Sequence, residues 1–498
     1  MSADSRERRS CGYNLQMVRG TLGLCCALSI LAGAIACGDD DSGGDADSAP
    51  PLDAPSSIDA VACVADEECD ANPGDPCRTG RTDCSTGEPV CVPGFPVTDG
   101  TACPDGTCQR GVCATPITID GDVDLSVDTL VGNRTCAESP SYSVTSLSAS
   151  AAVLSEAPAD DCLQIGDEVM LINMQGAPGQ TDAVGVWELL FVASVDGAQI
   201  AFESAKTRSY GADGASDTGI GVGATDQKVV LLRVAQLGDV TVADVGTVTA
   251  GKWNGLAGGV LAVRASSIAV SGEIHMRSRG YREGQWSIGD SICNDSVHTE
   301  SGESIAGPGA IDTARNAGGS GGITGAIGAS YLNNVPLCAS PGHATAGEPG
   351  ANGGVRTVGE PGSAYGVGDA SKLTMGSGSG GGVACGLDVG VPAELRKRDD
   401  LSGGIVALFV DSLTVEATGG ISASSAARAD RTAGAGGYVL IRGTDAALGT
   451  QQVTALGSLG EVDNSAGIDA TNKASDGFIV IDASGTVTGE TAPAANEL

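Results

Sequence analysis

A Gly-Gly strand opening that recurs in the C-terminal half constrains the fold of this chain more than any other feature. Residues 258–270 (GGVLAVRASSIAV) align without a gap to residues 403–415 (GGIVALFVDSLTV), and their apolar positions coincide. The opening returns at 436–441 (GGYVLI) and at 476–481 (DGFIVI). Short strands between Gly turns that recur every few tens of residues indicate the stacked coils of a solenoid.

A right-handed parallel β-helix fits these repeats best, because its coils stack similar side chains and tolerate long insertions at the turns. The predicted fold class is therefore all-β. It comprises a Gly-rich, parallel β-helix-like solenoid over residues 251–490, preceded by a β unit and a small disulfide-rich module. The alignment also predicts one continuous core that contains Val260, Val263, Ile405 and Leu408.

The longest insertion in the solenoid, at about residues 284–402, is rich in Gly and Ser and contains few predicted strands. Residues 318–322 and 376–381 match a nucleophile elbow and a dinucleotide-binding motif. Both matches consist mostly of Gly, and neither lies between a clear strand and a helix, as the chemistry requires. We interpret the insertion as loops supported by the solenoid or as partly disordered coil.

Residues 115–250 are predicted to form an all-β domain, because apolar and polar residues alternate and helical periodicity is absent. Strands are predicted at 168–174, 187–195, 199–202, 229–234 and 240–248. Asp120, Asp122 and Asp124 imitate the start of a calcium loop, but the Gly and Glu required later in that loop are missing. A solvated strand face is the better interpretation. Cys136 and Cys162 flank the start of this domain and are expected to pair.

The first 36 residues have the pattern of a secretory signal peptide. Arginines precede an apolar run over 20–36, which ends in small residues before Cys37. The sequence AIAC at 34–37 resembles a bacterial lipobox, which implies cleavage before Cys37 and a diacylglycerol on its sulfur. The alternative is an ordinary signal peptide with an incidental Cys. Residues 37–60 favour the lipoprotein, because their Asp, Pro, Ser and Gly form a flexible acidic tether.

Residues 61–114 contain eight Cys and almost no bulky apolar side chains, so this module needs disulfides in place of a core. The Cys spacing leaves the connectivity open. A metal cluster is the alternative, but the segment has no His and lacks the short Cys pairs typical of zinc sites. Residues 99–113 resemble EGF-like and disintegrin-like extracellular modules, which implies an exported module without activity. The disulfide candidates are Cys63, Cys69, Cys77, Cys84, Cys91, Cys103, Cys108 and Cys113.

Two Cys-x4-His pairs lie within the long insertion, at Cys293 and His298 and at Cys338 and His343. Two thiolates and two imidazoles form a tetrahedral zinc set. The preferred interpretation is a disulfide between Cys293 and Cys338, because clustered Cys indicate an oxidising compartment. Cys385 would then remain unpaired. No cofactor is predicted.

The charge balance restricts the binding partners. The chain carries 62 acidic and 27 basic residues and has a formal net charge of −35. Phosphates would be repelled, so this balance argues against nucleic acid and anionic lipid as partners.

Residues 396–400 (RKRDD) are the densest charge cluster near a predicted strand, and paired carboxylates can serve as general acid and base. Many parallel β-helices cleave acidic polysaccharides in this way. The motifs Gly-His-Gly and Asn-Thr-Asp are absent, and Trp platforms for sugars are sparse. A solvated turn is therefore the preferred interpretation of this cluster.

The order of signal, acidic tether, Cys-rich module, residues 166–176 (GDEVMLINMQG) and Gly-Gly strands around a Gly-rich insertion resembles glycine-rich bacterial surface proteins. Such proteins are often linked by name to adventurous gliding motility or adhesion. The resemblance spans about residues 115–445 and supplies no catalytic residues. It implies a lipoprotein of the outer membrane or cell surface, held by its lipid, with a structural or adhesive role towards polysaccharide or surface proteins. The alternative function is a carbohydrate-active β-helix enzyme, a lyase or hydrolase.

Overall fold

The described part of the chain consists of β-strands and their connections, without a helix. Consequently, no helix there is long and apolar enough to cross a membrane. The described residues lie within the unit Cys63–Leu498. The computed structural model describes residues 68–69, 76–84, 88–97, 101–104, 106–109, 111–131, 134–284, 287–288, 301–309, 339–349, 361–380, 383–384, 402–426, 434–462 and 470–498.

The strands follow the chain in this order: β1 (Glu68–Cys69), β2 (Arg78–Asp83), β3 (Val90–Pro96), β4 (Ala102–Cys103), β5 (Gly106–Gln109), β6 (Val112–Ala114), β7 (Ile117–Ile119), β8 (Asp122–Asp124), β9 (Ser141–Leu147), β10 (Ala151–Leu154), β11 (Glu168–Gln175), β12 (Trp187–Asp196), β13 (Gln199–Phe202), β14 (Lys228–Arg233), β15 (Ala235–Gln236), β16 (Asp239–Val242), β17 (Thr247–Thr249), β18 (Val260–Val270), β19 (Glu273–His275), β20 (Ser287–Ile288), β21 (Val383–Ala384), β22 (Ile405–Val415), β23 (Gly420–Ser422), β24 (Tyr438–Thr454), β25 (Leu459–Val462), β26 (Ala470–Lys473), β27 (Phe478–Ala483), β28 (Val487–Ala492) and β29 (Asn496–Glu497).

A 13-stranded sheet contains the repeats recognised in the sequence. Strands β18, β22, β24 and β27 pair side by side and in parallel. Their register reproduces the gapless alignment, which is thereby confirmed. The matched positions are Val260 with Ile405, Val263 with Leu408, Ile405 with Tyr438, and Tyr438 with Phe478.

The first half of each of these strands is buried on both faces of the sheet, so the expectation of one continuous core was wrong. Val263 and Leu408 belong to one apolar cluster, on the inner side of the parallel sheet. Val260 and Ile405 belong to a second cluster, which also contains Trp187 from β12. Successive side chains of a strand point to opposite faces of the sheet. Val260 and Val263 are three residues apart on one strand, as are Ile405 and Leu408, so the two members of each pair face opposite sides. Parallel sheets are typically covered on both faces.

The segment predicted as the domain 115–250 is divided between two sheets. Strands β9 to β14 form a closed antiparallel barrel in the order β10-β13-β12-β11-β14-β9. Strands β7, β8, β16 and β17 instead pair in parallel with the repeats. In the order of the chain, the barrel strands therefore lie between β7 and β8 and the later strands of the parallel sheet. The strand predicted at 240–248 is interrupted between β16 and β17, where Gly246 donates its amide to the Ala243 carbonyl at 2.7 Å.

Gly-rich segments at 301–309, 339–349 and 361–380 pack backbone against backbone beside the parallel sheet. The amide of Gly376 donates to the Gly403 carbonyl, and the amide of Gly378 donates to the Glu303 carbonyl, both at 2.9 Å. A Cβ at Gly302 would collide with the carbonyl of Gly378. These glycines allow close approach of the chains, and the described segments fit the interpretation of loops supported by the repeats.

Candidate functional site

A strip of small side chains, some exposed and some half-buried, runs along the parallel sheet, and we call it the hydroxyl face. It arises from the second half of each repeat, where buried residues alternate with outward ones. In β16, for example, Val240 and Val242 are buried whereas Asp239 and Thr241 are exposed. One column contains Thr118, Thr241, Ala269, Thr414, Ala447 and Thr488. The adjacent column contains Asp239, Ser267, Ser412 and Asp445.

The register makes the hydroxyl face a regular grid. Neighbouring strands lie about 4.8 Å apart, and side chains two residues apart on one strand lie about 6.6 Å apart. All members of the two columns are Thr, Ser, Ala or Asp, so no long side chain interrupts the grid. Such a regular array of short polar side chains can form repeated hydrogen bonds with an extended, hydroxyl-rich partner.

The carboxylates of the hydroxyl face take part in local hydrogen bonds. Ser267 Oγ donates to Asp239 Oδ1 at 2.6 Å, across two neighbouring strands. The amide of Thr486 donates to Asp445 Oδ1 at 2.7 Å. The two columns contain no Lys or Arg. The face therefore presents hydrogen-bond acceptors and hydroxyls, and it would repel an anionic polymer.

A second polar column lies at the ends of the short strands β8, β17, β19 and β23 and at the end of β24. It contains Asp124, Thr249, His275, Ser422 and Thr454, which follow each other across the register. Thr454 Oγ1 donates to Ser422 Oγ at 2.9 Å. His275 Nδ1 is buried without a hydrogen-bond partner. Burial lowers the pKa of His275, and the nearby Glu273 carboxylate opposes that effect.

Acids and cations converge beside this column, but as ion pairs. Arg277 Nη2 donates to Glu273 Oε2 at 2.6 Å. Arg279 Nη1 lies 3.3 Å from Asp124 Oδ2 and donates to the Ala250 carbonyl at 2.7 Å. The Thr247 hydroxyl donates to Asp122. The carboxylates most suited to acid–base chemistry are thus already engaged within the fold.

Disulfides cross-link the described Cys, as the sequence predicts for an oxidising compartment. Cys84 is disulfide-bonded as well. Cys37 and Cys63 lie outside the described residues. The described bridges are Cys69–Cys91, Cys77–Cys108, Cys103–Cys113 and Cys136–Cys162.

His343 is the one member of the predicted zinc set that the structure describes, and it is fully buried. Its Nδ1 faces the Gly436 carbonyl at 2.6 Å and therefore donates, so Nε2 accepts from the Thr374 hydroxyl at 2.8 Å. Tyr365 and Phe478 flank the ring, with centroids at 4.8 and 5.1 Å. Burial lowers the pKa of His343 to about 4. Both ring nitrogens are thus occupied within the protein.

The other predicted site residues lie outside the described part of the chain. They are Cys293, His298, Cys338 and Cys385, together with the charge cluster at 396–400. Zinc binding by the two Cys-x4-His pairs and the disulfide between Cys293 and Cys338 therefore stay predictions.

Sequence reasoning missed the hydroxyl face, although the signal was present. The gapless alignment places Ala269 beside Thr414, and period-two alternation makes both outward. It also missed the buried ion pair of Arg264 and Glu168, which joins the parallel sheet to the barrel. Arg264 Nε and Nη2 each donate to a Glu168 oxygen at 2.6 Å, and the guanidinium lies over the Phe409 ring. No local sequence signal connects residues so far apart.

Comparisons with known proteins give only distant structural similarities. No family model matches the sequence, and no curated protein matches it. The tailspike protein gp49 of Pseudomonas phage LKA1 is 14% identical, with a TM-score of 0.14, and the match covers 71% of this chain and 47% of the tailspike. The tailspike gp61 of Pseudomonas phage phi297 is 12% identical, with a TM-score of 0.15, and the match covers 76% and 52%. This chain therefore spans about half the length of each tailspike that it matches.

Proposed function

We propose that this protein is an exported lipoprotein of the cell envelope with a structural and adhesive role. In this proposal the parallel repeats form a right-handed β-solenoid that displays the hydroxyl face to a binding partner. A lipidated Cys37 anchors the chain, and the acidic segment 37–60 holds the fold away from the membrane. The disulfides support export, because such bonds persist in oxidising compartments.

The in-register hydroxyl face carries the proposed adhesive role. Its grid of hydroxyls, methyl groups and carboxylates suits an uncharged polysaccharide, whose hydroxyls both donate and accept hydrogen bonds. The net charge of −35 disfavours a polyanionic partner. Surface proteins are the competing class of partner, and the test below distinguishes them from polysaccharide.

The column around His275 favours a second candidate function, a carbohydrate-active enzyme. Asp124, Glu273 and His275 bring carboxylates and an imidazole to one face. The Glu273 carboxylate is paired with Arg277, and the Asp124 carboxylate is paired with Arg279. Because these carboxylates are already engaged in ion pairs, adhesion is the preferred proposal. Release of reducing ends or of unsaturated sugars from a polysaccharide by the purified protein would favour the enzyme.

The adhesive role is tested with variants that place long, positively charged side chains on the hydroxyl face. The double variant Thr241→Arg, Thr414→Arg should lower binding to insoluble cellulose, chitin and whole-cell surface polysaccharide at least tenfold. Gln199→Arg, on the exposed side of the barrel, is the matched control and should bind as the unmodified protein does. Thermal unfolding of all three proteins should be similar, because both Thr side chains lie on the outer face.

Unchanged polysaccharide binding by the double variant, or no binding by the unmodified protein, would refute the proposed use of this face. Binding that is lost after protease treatment of the target cells would replace polysaccharide by a surface protein as partner.

A further inference from the structure

Two neighbouring disulfides of the Cys-rich module differ in their exposure. Cys77 and Cys108 are 0% and 1% exposed, and we call their bond the buried bridge. Cys103 and Cys113 are half-buried, and we call their bond the entry bridge. The Sγ atoms of Cys77, Cys103 and Cys113 lie within 4.8 Å of one another. A reductant in solvent therefore meets the entry bridge first, with one sulfur of the buried bridge close beside it.

Cleavage of the entry bridge alone leaves these sulfurs near one another. Cys103 lies on β4 and Cys113 on β6, and both strands remain hydrogen-bonded to β5. Cys108 lies on β5, directly across from Cys113, and the intact buried bridge ties Cys77 to this strand. The Cys77 carbonyl also accepts from the amide of Val97 at 2.9 Å. Backbone pairing and the remaining bridge thus hold Cys77 Sγ beside the two new thiols.

We propose that the module is a redox-sensitive thiol–disulfide relay, in which the buried bridge is rearranged through the entry bridge. In such an exchange a thiolate attacks one sulfur of a disulfide, and the other sulfur leaves as a thiolate. Once the entry bridge is open, the thiolate of Cys103 or Cys113 attacks Cys77 Sγ. Cys108 is the leaving group, because Cys77 is the member of the buried bridge that lies within 4.8 Å of both attacking sulfurs. The product carries a Cys77–Cys103 or Cys77–Cys113 bridge and a free Cys108 thiol.

The relay consumes one reductant molecule, which supplies two electrons. A phosphine takes oxygen from water, becomes a phosphine oxide and converts the entry bridge to two thiols. A dithiol does the same and ends as a disulfide. One new thiol then loses its proton to solvent before the exchange, and the Cys108 thiolate takes up a proton afterwards. The exchange itself transfers no net electrons, and because it is intramolecular the held sulfurs react at a high effective concentration.

The test uses the unmodified full chain, a limiting amount of tris(2-carboxyethyl)phosphine and two pH values. The thiolate fraction of an ordinary Cys is about a thousandfold smaller at pH 5 than at pH 8, so exchange is slow in acid. Reduction and alkylation at about pH 5 should label Cys103 and Cys113 and leave the buried bridge intact. Raising reduced chains to about pH 8 before alkylation should move label to Cys108 and create a peptide that links Cys77 to Cys103 or Cys113. Mass spectrometry of unreduced peptides measures both products.

Two matched variants separate the relay from direct reduction of the buried bridge. Cys103→Ser, Cys113→Ser removes the entry bridge and should slow reduction of the buried bridge by the phosphine at least tenfold. Cys69→Ser, Cys91→Ser removes the neighbouring bridge, whose sulfurs do not belong to the close group, and should leave that rate unchanged. Equal or faster reduction of the buried bridge without the entry bridge would overturn the proposal. Absence of the rearranged Cys77 peptide in the unmodified chain after the rise in pH would overturn it as well.

Discussion

Replacing Leu408 with Asp should unfold the parallel sheet, because this side chain lies at the centre of the repeats. Leu408 is fully buried and is paired in register between Val263 and Ile441. Loss of a buried Leu side chain costs about 2–5 kcal/mol. An unpaired carboxylate in the same place adds several kcal/mol. The total approaches the whole stability of a typical domain, about 5–15 kcal/mol.

Thr414→Asp is the matched control, because Thr414 lies on the same strand but faces outward. Urea denaturation followed by circular dichroism should give this control a midpoint close to that of the unmodified protein. Leu408→Asp should lack the cooperative transition at neutral pH. Burial raises the pKa of the introduced carboxyl, so the native state binds the proton more tightly and acid should restore part of the structure. A normal urea midpoint for Leu408→Asp would refute the assigned core.

Three further predictions concern the buried His343, the buried ion pair of Arg264 and Glu168, and the lipid anchor at Cys37. The folded-state pKa of His343 is about 4 against 6.5, so stability should fall by up to about 3 kcal/mol as the pH drops from 6.5 towards 4. Urea midpoints should show this slope, and His343→Phe should lack it. Arg264→Met removes the guanidinium that pairs with buried Glu168 and should cost about 3–5 kcal/mol in thermal unfolding, whereas adding Glu168→Leu should recover most of the loss. Cys37→Ser should move the exported protein from membrane to soluble fractions, and unchanged membrane association would contradict lipidation.

The register of the repeats was predictable because the repeat strands pair in parallel with equivalent residues side by side. An alignment of one repeat with the next is therefore also a list of paired residues, as Val260 and Ile405 demonstrate. Similarly, the barrel strands were recognisable from alternating apolar residues and Gly turns. β13, for example, has the predicted bounds 199–202.

Which strands pair with each other was not predictable from these local patterns. In a three-residue strand such as β7, buried and exposed residues alternate as in any half-buried strand. This alternation does not indicate which sheet the strand joins. The Gly-rich segments illustrate the same limit. Their composition is typical of flexible loops, whereas the close approach of Gly302 and Gly378 depends on contacts remote in sequence.

The placement of arginines connects this architecture with the proposed partner. Arg264 pairs with Glu168 and Arg282 with Glu303, and Arg233 lies 3.6 Å from Glu138. These cations stabilise contacts inside the fold, so they do not offset the acidic groups of the surface. With 62 acids and 27 bases, the chain has a formal net charge of −35. This charge repels anionic polymers and other copies of the chain at low ionic strength. Attachment to an uncharged polysaccharide through the hydroxyl face avoids that repulsion, and its affinity should therefore change little with salt.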